Sequence, residues 1–372
     1  MYFVLFIITY FFISYSESKL NKCEFNCTLS CKNRFFVLIL FFCIYYIALS
    51  TQYEVGTDYN EYIRLFSSKG PVSLYHRKKE YGFYYLCLWL TEKKLPPQTG
   101  FFILNIIQFL CIIIFLYKVR LVSYKLFFLL YLSVGTFIYN QTNVMRQYTS
   151  ACIIILAFLS CYKRKYLISI SLILFASLFH NSSLLVIPFL FVILLFSKKR
   201  SIQFHIIELL VLIFFARFNL ITILFKYVPY VNNYSHYLES AWGTQQIGFV
   251  NILTKYIYIP FYLLSLLSFK RLKTENEPMD IFLFQLGYFA FCFRLFSLSS
   301  SIFNRFSVYF DFFSVFPLYY FLLDMYKGKI VFKHFNTLFI FCFYALVIGL
   351  FFLKTVAFAS AEYDYKSILF LF

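Results

Sequence analysis

Charge is scarce in this chain. Only 13% of its 372 residues are Asp, Glu, Lys or Arg, while 62% are hydrophobic and the mean hydropathy is +0.74. A soluble core could not bury that much apolar surface, so a soluble globular protein is excluded and a polytopic membrane protein is indicated. Acid is scarcer still, with 16 Asp and Glu against 34 Lys and Arg and a formal charge of +18. That excess does not mark nucleic-acid binding, because the basic residues stand as short clusters between apolar runs, where they set membrane topology. There is no internal repeat, low-complexity linker or composition shift, so one integral membrane domain over residues 1–372 is expected. Close-spaced Cys-x-x-Cys pairs are absent too; the ten cysteines lie mostly in apolar runs and read as small hydrophobes. Cys23, Cys27 and Cys31 differ, since a spacing of four sets three thiols on one helical face. They lack a fourth ligand, and reduced cytosolic thiols are the default reading, with no metal expected.

What the chain has is about twelve apolar segments of near-spanning length. They lie near 2–15, 35–50, 101–117, 125–140, 147–162, 166–180, 182–197, 204–224, 250–269, 280–297, 303–323 and 331–353. The first lacks a basic leading region and a clear cleavage site, and reads as a retained helix. Tyr81 to Leu90 is apolar but half a span long, an interfacial or re-entrant piece. Basic clusters at Lys19 to Arg34, Lys118 to Lys125, Lys163 to Lys165, Lys198 to Arg200, Lys270 to Lys273 and Lys327 to Lys333 occupy alternate connections. These are expected to be cytoplasmic, with 51–100 and 225–249 as external loops. The 51–100 segment carries seven basic residues of its own, but long loops cross regardless of charge, and Glu54, Asp58, Glu61, Glu80 and Glu92 offset part of it.

The polar residues that stand out gather on the outer side. Arg146 opens a span beside Gln147, after the polar run Asn140 to Asn143. One reading is an interfacial arginine reaching headgroups; the other is a site residue. His180 ends one span and enters the next through Asn181, Ser182 and Ser183. It reads as a turn cap, or as a proton acceptor or phosphate-oxygen donor. Arg305 lies at an outer helix end, and its fixed fork of donors suits a pyrophosphate. Arg217 and Arg294 either join it or pair with Glu208 and Asp311 as structural bridges. The run Tyr53-Glu54-Val55-Gly56-Thr57-Asp58-Tyr59-Asn60-Glu61-Tyr62 supplies a glycine turn, a carboxylate at Asp58 and aromatic faces able to meet a sugar.

In order, the blocks GTDYNEY, KEYGFYYL, NVMRQYTSACIIILA, FHNSSLLVIPF and NRFSVYF resemble the EpsG-like branch of the Wzy-type polysaccharide polymerases. The resemblance runs from about Tyr53 to Pro317. It implies an all-α, GT-C-like membrane bundle of about twelve transmembrane helices. It further implies a bacterial cytoplasmic-membrane enzyme, active on its outer face, that joins oligosaccharide repeats carried on undecaprenyl pyrophosphate. Asp58 and His180 would be catalytic, and Arg146, Gln147 and Arg305 would bind the pyrophosphate. Such an enzyme needs a base for the acceptor hydroxyl and cations for the leaving pyrophosphate. No DxD-type pair stands in the outer segments, consistent with an inverting transfer that uses no metal or other cofactor. The partners implied are the lipid-linked oligosaccharide, the bilayer and a chain-length regulator. A flippase would place its charges at the membrane midplane, whereas these gather at one face. An O-antigen-ligase-like enzyme shares the donor and differs only in acceptor.

Overall fold

The computed structural model describes residues 42–67, 70–134, 137–217, 255–299, 301–329 and 336–357, together with 7, 10, 11, 39, 366 and 367. The first apolar segment apart from three of its residues, the Cys23 to Cys31 run and the 225–249 loop lie outside the described residues. Among the described residues the structure is helical, its one β feature an isolated bridge between Gln52 and Ser367. The chain gathers into two compact units, Met1–Leu194 with Thr337–Phe372, and Leu195–Asn336.

The first unit begins with α1 (42–50), α2 (Tyr59–Phe66), α3 (Ser73–Arg77) and α4 (Tyr81–Glu92). The segment 51–100 is thus largely three short helices. Then follow α5 (Pro97–Val119), α6 (Tyr124–Ser133), α7 (Phe137–Thr142), α8 (Met145–Tyr162), α9 (Tyr166–Ser177) and α10 (Phe189–Phe196). Pro97 starts α5, where a missing amide costs nothing, and Arg120 ends it in a left-handed conformation. Its 23 residues give a length of about 34 Å, enough to cross a bilayer. Polar residues on the buried faces join the helices: Asn105 donates to Ser50 Oγ at 3.3 Å, and Gln108 to Thr149 Oγ1 at 3.0 Å. Ser150 and Ser169 hydroxyls bond Ala176 and Ala157 carbonyls, drawing α8 and α9 together at small residues. A buried hydroxyl network runs from Tyr45 through Gln141 to Tyr46, Tyr131 and Tyr148.

The second unit holds α11 (Ile202–Arg217), α12 (Ile259–Glu275), α13 (Pro278–Phe296), α14 (Ser301–Asp311) and α15 (Val315–Tyr326). Gly287 lets α13 approach the 312–314 turn; a Cβ there would lie 2.5 Å from Pro317 Cδ. At the far end of α12, Arg271 Nε donates to buried Asp324 Oδ2 at 2.7 Å, its Nη2 lies 2.7 Å from Oδ1, and it also pairs with Glu275. Glu208 pairs with His205 at 3.0 Å, and the Arg217 side chain lies outside the described residues. Arg294 and Asp311 are both buried, within electrostatic reach of Tyr262.

Four helical stretches are long and apolar enough to cross a membrane: Pro97–Val119, Pro278–Phe296, Phe303–Tyr326 and Thr337–Ala357. Tyr124–Ser133, Tyr166–Ser177 and Ile202–Phe215 are apolar but shorter. Of the twelve or so expected spans, four stand as full-length helices among the described residues. Helix breaks account for part of the difference: 166–197 is divided at His180 by a 3-10 turn, Asn181–Val186, and α10 starts just after Pro188.

Candidate active site

The first unit brings two of the sequence-predicted residues onto one carboxylate that sequence reading had treated only as a balancing charge. Glu80 is the residue just before α4, and its carbonyl accepts from Tyr84 N at 2.9 Å in the first turn. Its Oε2 pairs with Arg146 Nη1. Its Oε1 lies 3.1 Å from His180 Nδ1 and accepts from the Asn181 amide at 3.2 Å. The Glu80 side chain is 3% exposed, whereas Arg146 keeps 18% and His180 24%. The acid is therefore a buried floor, and the arginine and the histidine retain edges that a ligand can reach.

Local sequence explains the convergence. Phe83 N donates to Leu178 O at 3.1 Å, tying the first turn of α4 to the residues before His180. Gly82 permits that approach, since a Cβ there would stand 3.0 Å from Leu178 Cβ. Arg146 lies in the first turn of α8, its Cζ 4.4 Å from the Tyr75 ring centroid and 4.9 Å from that of Phe83. Its backbone amide donates to Tyr62 Oη at 3.3 Å. Arg146 Nε is buried and has no hydrogen-bond partner among the described residues. Two aromatic rings and one carboxylate thus orient a guanidinium that still has donors to offer.

Burial alone would raise the Glu80 carboxyl, but His180, Arg146 and the Asn181 amide outweigh it and hold the group below the ordinary carboxylate range. Burial pushes the His180 imidazole down, beyond what the attraction of Glu80 restores. The site at neutral pH is then an ionised Glu80 and a neutral His180. Nδ1 lies 3.1 Å from Glu80 Oε1 without hydrogen-bond alignment, so the carboxylate favours a proton on Nδ1 by charge, which leaves the lone pair on Nε2. Burial raises the Tyr62 phenol to about 12, so it acts here as a neutral hydrogen-bonding group.

Asp58 is exposed at the N-cap of α2, in a turn anchored to the residues just before α8. Asn143 Oδ1 accepts from Thr57 N at 2.7 Å and from Thr57 Oγ1 at 3.2 Å. Gly56 makes the turn possible, with φ +85 and a hypothetical Cβ only 2.5 Å from Asn143 Oδ1. Gly56→Ala is accordingly expected to destabilise the protein by at least roughly 1–2 kcal/mol, from the left-handed backbone alone. Thermal unfolding of the purified variant in detergent measures it; an unchanged midpoint would show that the turn relaxes.

Gln147 is buried one residue beyond Arg146, turned about 100° round the helix and off the arginine's face. Arg305 belongs to the second unit, exposed on α14. Its neighbour Asn304 accepts from Lys255 Nζ at 3.0 Å.

A protein-family model for the EpsG family matches residues 33–367, nearly the whole chain. The chain belongs to the EpsG family. This is a Wzy-type polymerase-like family, as the order of the sequence blocks had implied. No curated protein and no solved structure matches the chain. Membership and the apolar helices make it a multi-pass membrane protein of polysaccharide synthesis. Every residue of the Glu80 cluster falls inside the EpsG match. Sequence reading missed Glu80, Tyr75 and Phe83, and had Tyr62 only as an aromatic face of the 53–62 run. For Glu80 and Phe83 there was a signal, because both stand in the KEYGFYYL block that carries the resemblance.

Proposed function

We propose that this EpsG-family protein is a polysaccharide polymerase joining undecaprenyl-pyrophosphate-linked repeats on the outer face of the bacterial cytoplasmic membrane. The carrying observation is one buried carboxylate, Glu80, holding an arginine and a histidine together at a partly open edge. In the proposed step the acceptor hydroxyl attacks the anomeric carbon of the donor chain. Its proton passes to His180 Nε2, and the bond from the anomeric carbon to the pyrophosphate oxygen breaks with inversion. The undecaprenyl pyrophosphate leaves with its charge against Arg146. Arg305, in the second unit, is proposed on its own as a further pyrophosphate-binding residue. Glu80 touches no substrate in this scheme; it positions both groups and stabilises the imidazolium as it forms. Asp58, exposed on its anchored turn, is the alternative proton acceptor, and Gln147 is proposed to shape the site from within α8. The chain needs no metal for this step, because the cation at the leaving group is supplied by arginine.

The test is the length distribution of surface polysaccharide in a deletion strain complemented with wild type, Arg146→Ala or Arg305→Ala at matched expression. Single lipid-linked or acceptor-linked repeats without long chains are expected from both variants. Long chains of normal length from Arg146→Ala would overturn the assignment, and repeats trapped on the inner leaflet would make the protein a transporter of the same lipid.

A further inference from the structure

The helix that fixes Glu80 has a second face that the proposed chemistry does not use. α4 buries Phe83, Cys87 and Leu90 completely in the first unit. Its opposite edge carries Tyr81, Tyr85 and Trp89, spaced by four and exposed by 36%, 61% and 43%. That spacing makes a single aromatic stripe along the helix. The two ends are cationic. Arg77, Lys78 and Lys79 precede Glu80, Lys93 and Lys94 follow Glu92, and all five are exposed.

Twelve residues make a helix of about 18 Å, too short to cross a hydrocarbon core of about 30 Å. Tyr and Trp rings prefer the boundary between headgroups and acyl chains, and lysines beside them reach anionic phosphates. A saccharide platform is the competing reading of the same rings, since His76 packs edge-on against Tyr81 and Tyr84. Sugar sites set amides or carboxylates beside the ring to hold hydroxyls, whereas the exposed polar groups at the ends of this stripe are mostly cations.

We propose that α4 lies flat in the outer headgroup region of the bilayer, with its Tyr81, Tyr85 and Trp89 edge against lipid and its basic ends against anionic lipid phosphates. Resting on the polymerase reading, the consequence is that α4 sets the depth of the active site. Glu80 adjoins its first turn, so Arg146 and His180 are held near the plane in which a lipid-linked pyrophosphate already sits. The carrier then reaches the arginine without being lifted out of the membrane.

The chain has two tryptophans, at 89 and 242, so Trp242→Phe leaves Trp89 as the sole reporter. The full-length variant is reconstituted in vesicles containing phosphatidylglycerol and phosphatidylcholine brominated either near the headgroup end or at the tail end of the acyl chain. Headgroup-end bromines are expected to quench Trp89 several-fold more than tail-end bromines, with little quenching by aqueous iodide. Adding Lys93→Gln and Lys94→Gln should weaken the quenching in phosphatidylglycerol vesicles but not in neutral ones. Quenching by iodide alone overturns the proposal, and if added oligosaccharide then shields Trp89 the stripe is a sugar platform. Strongest quenching by tail-end bromines also overturns it, in favour of a re-entrant helix. None of these readings involves polymerisation. An interfacial Trp89 together with full-length chains in the deletion strain itself would therefore keep the docking and remove the polymerase reading, and the reverse pattern would do the opposite.

Discussion

Arg146→Lys is expected to lose chain elongation by roughly 10²–10³-fold although the positive charge is retained. The guanidinium has two tasks that a single ammonium cannot share. One Nη is committed to Glu80, while Tyr75 and Phe83, edge-to-face with each other, both pack against the guanidinium. The exposed edge of the guanidinium keeps a fixed direction in which a pyrophosphate oxygen can be received, while the buried Nε faces the protein. A lysine would settle on Glu80 as a point charge and leave the developing charge on the leaving group with one donor fewer. Elongation rate on purified lipid-linked repeat, reconstituted in vesicles, reads the effect. A lysine variant with near wild-type rate would show that the fork is not used, and Arg146 would revert to an interfacial anchor.

Glu80 substitutions should have the largest combined effect on stability and rate. Glu80→Ala leaves a mostly buried guanidinium without its acid, a change that costs about 3–5 kcal/mol for a fully buried pair. With 18% of the Arg146 side chain still in contact with solvent, the lower end of that range is expected. Glu80→Gln keeps the shape and removes the charge, so it separates folding from catalysis. It is expected to fold, and to lose roughly 10²-fold in rate because His180 no longer has a carboxylate to hold its tautomer and steady its cation. The pH dependence gives an independent sign. Because the His180 imidazole is lowered in the folded protein, it remains neutral at pH values where a free histidine, near 6.5, begins to charge. Wild-type elongation should therefore persist below about pH 6.5 and fail on a more acidic limb. Glu80 acts to raise His180, so in Glu80→Gln that limb should move to still lower pH. Stability follows the same direction. A lowered Glu80 contributes above its unfolded value of about 4.3 and is lost as pH falls through the folded one. A lowered His180 favours the native state above about 6.5, and that contribution declines below it as the unfolded chain takes up protons. Thermal midpoints measured across this window should fall monotonically with acid in the wild type, and less steeply below about pH 4.3 in Glu80→Gln. A limb that stays in place in the variant would detach His180 from the proton transfer.

The class and the site were legible to different depths. Hydropathy and alternating basic clusters were enough for a helical membrane protein, because lipid leaves the backbone few other options. They were not enough for the helix count. A run such as 166–197 scores as two spans by composition, while Asn181 to Ser183 and Pro188 break it into pieces shorter than a bilayer. Arg146 and His180 could be found because charge beside apolar segments is costly and draws notice. Their meeting was not visible, since 34 residues separate them and their link, Glu80, lies 66 residues before the arginine. In a segment read as an external loop, one acid among five looked like charge balance. Only the packing of α4 against Leu178 turns it into the floor of a site. Arg305, grouped with Arg146 by chemistry, folds with the second unit.

The most direct test of the site as one catalytic unit is a double-mutant cycle on reconstituted elongation with Arg146→Ala, His180→Ala and the pair. Groups that act in the same step through a shared carboxylate should be strongly non-additive, so the double variant is expected to be scarcely slower than the worse single one. Losses that multiply independently would contradict the account and make Arg146 and His180 separate structural contributors.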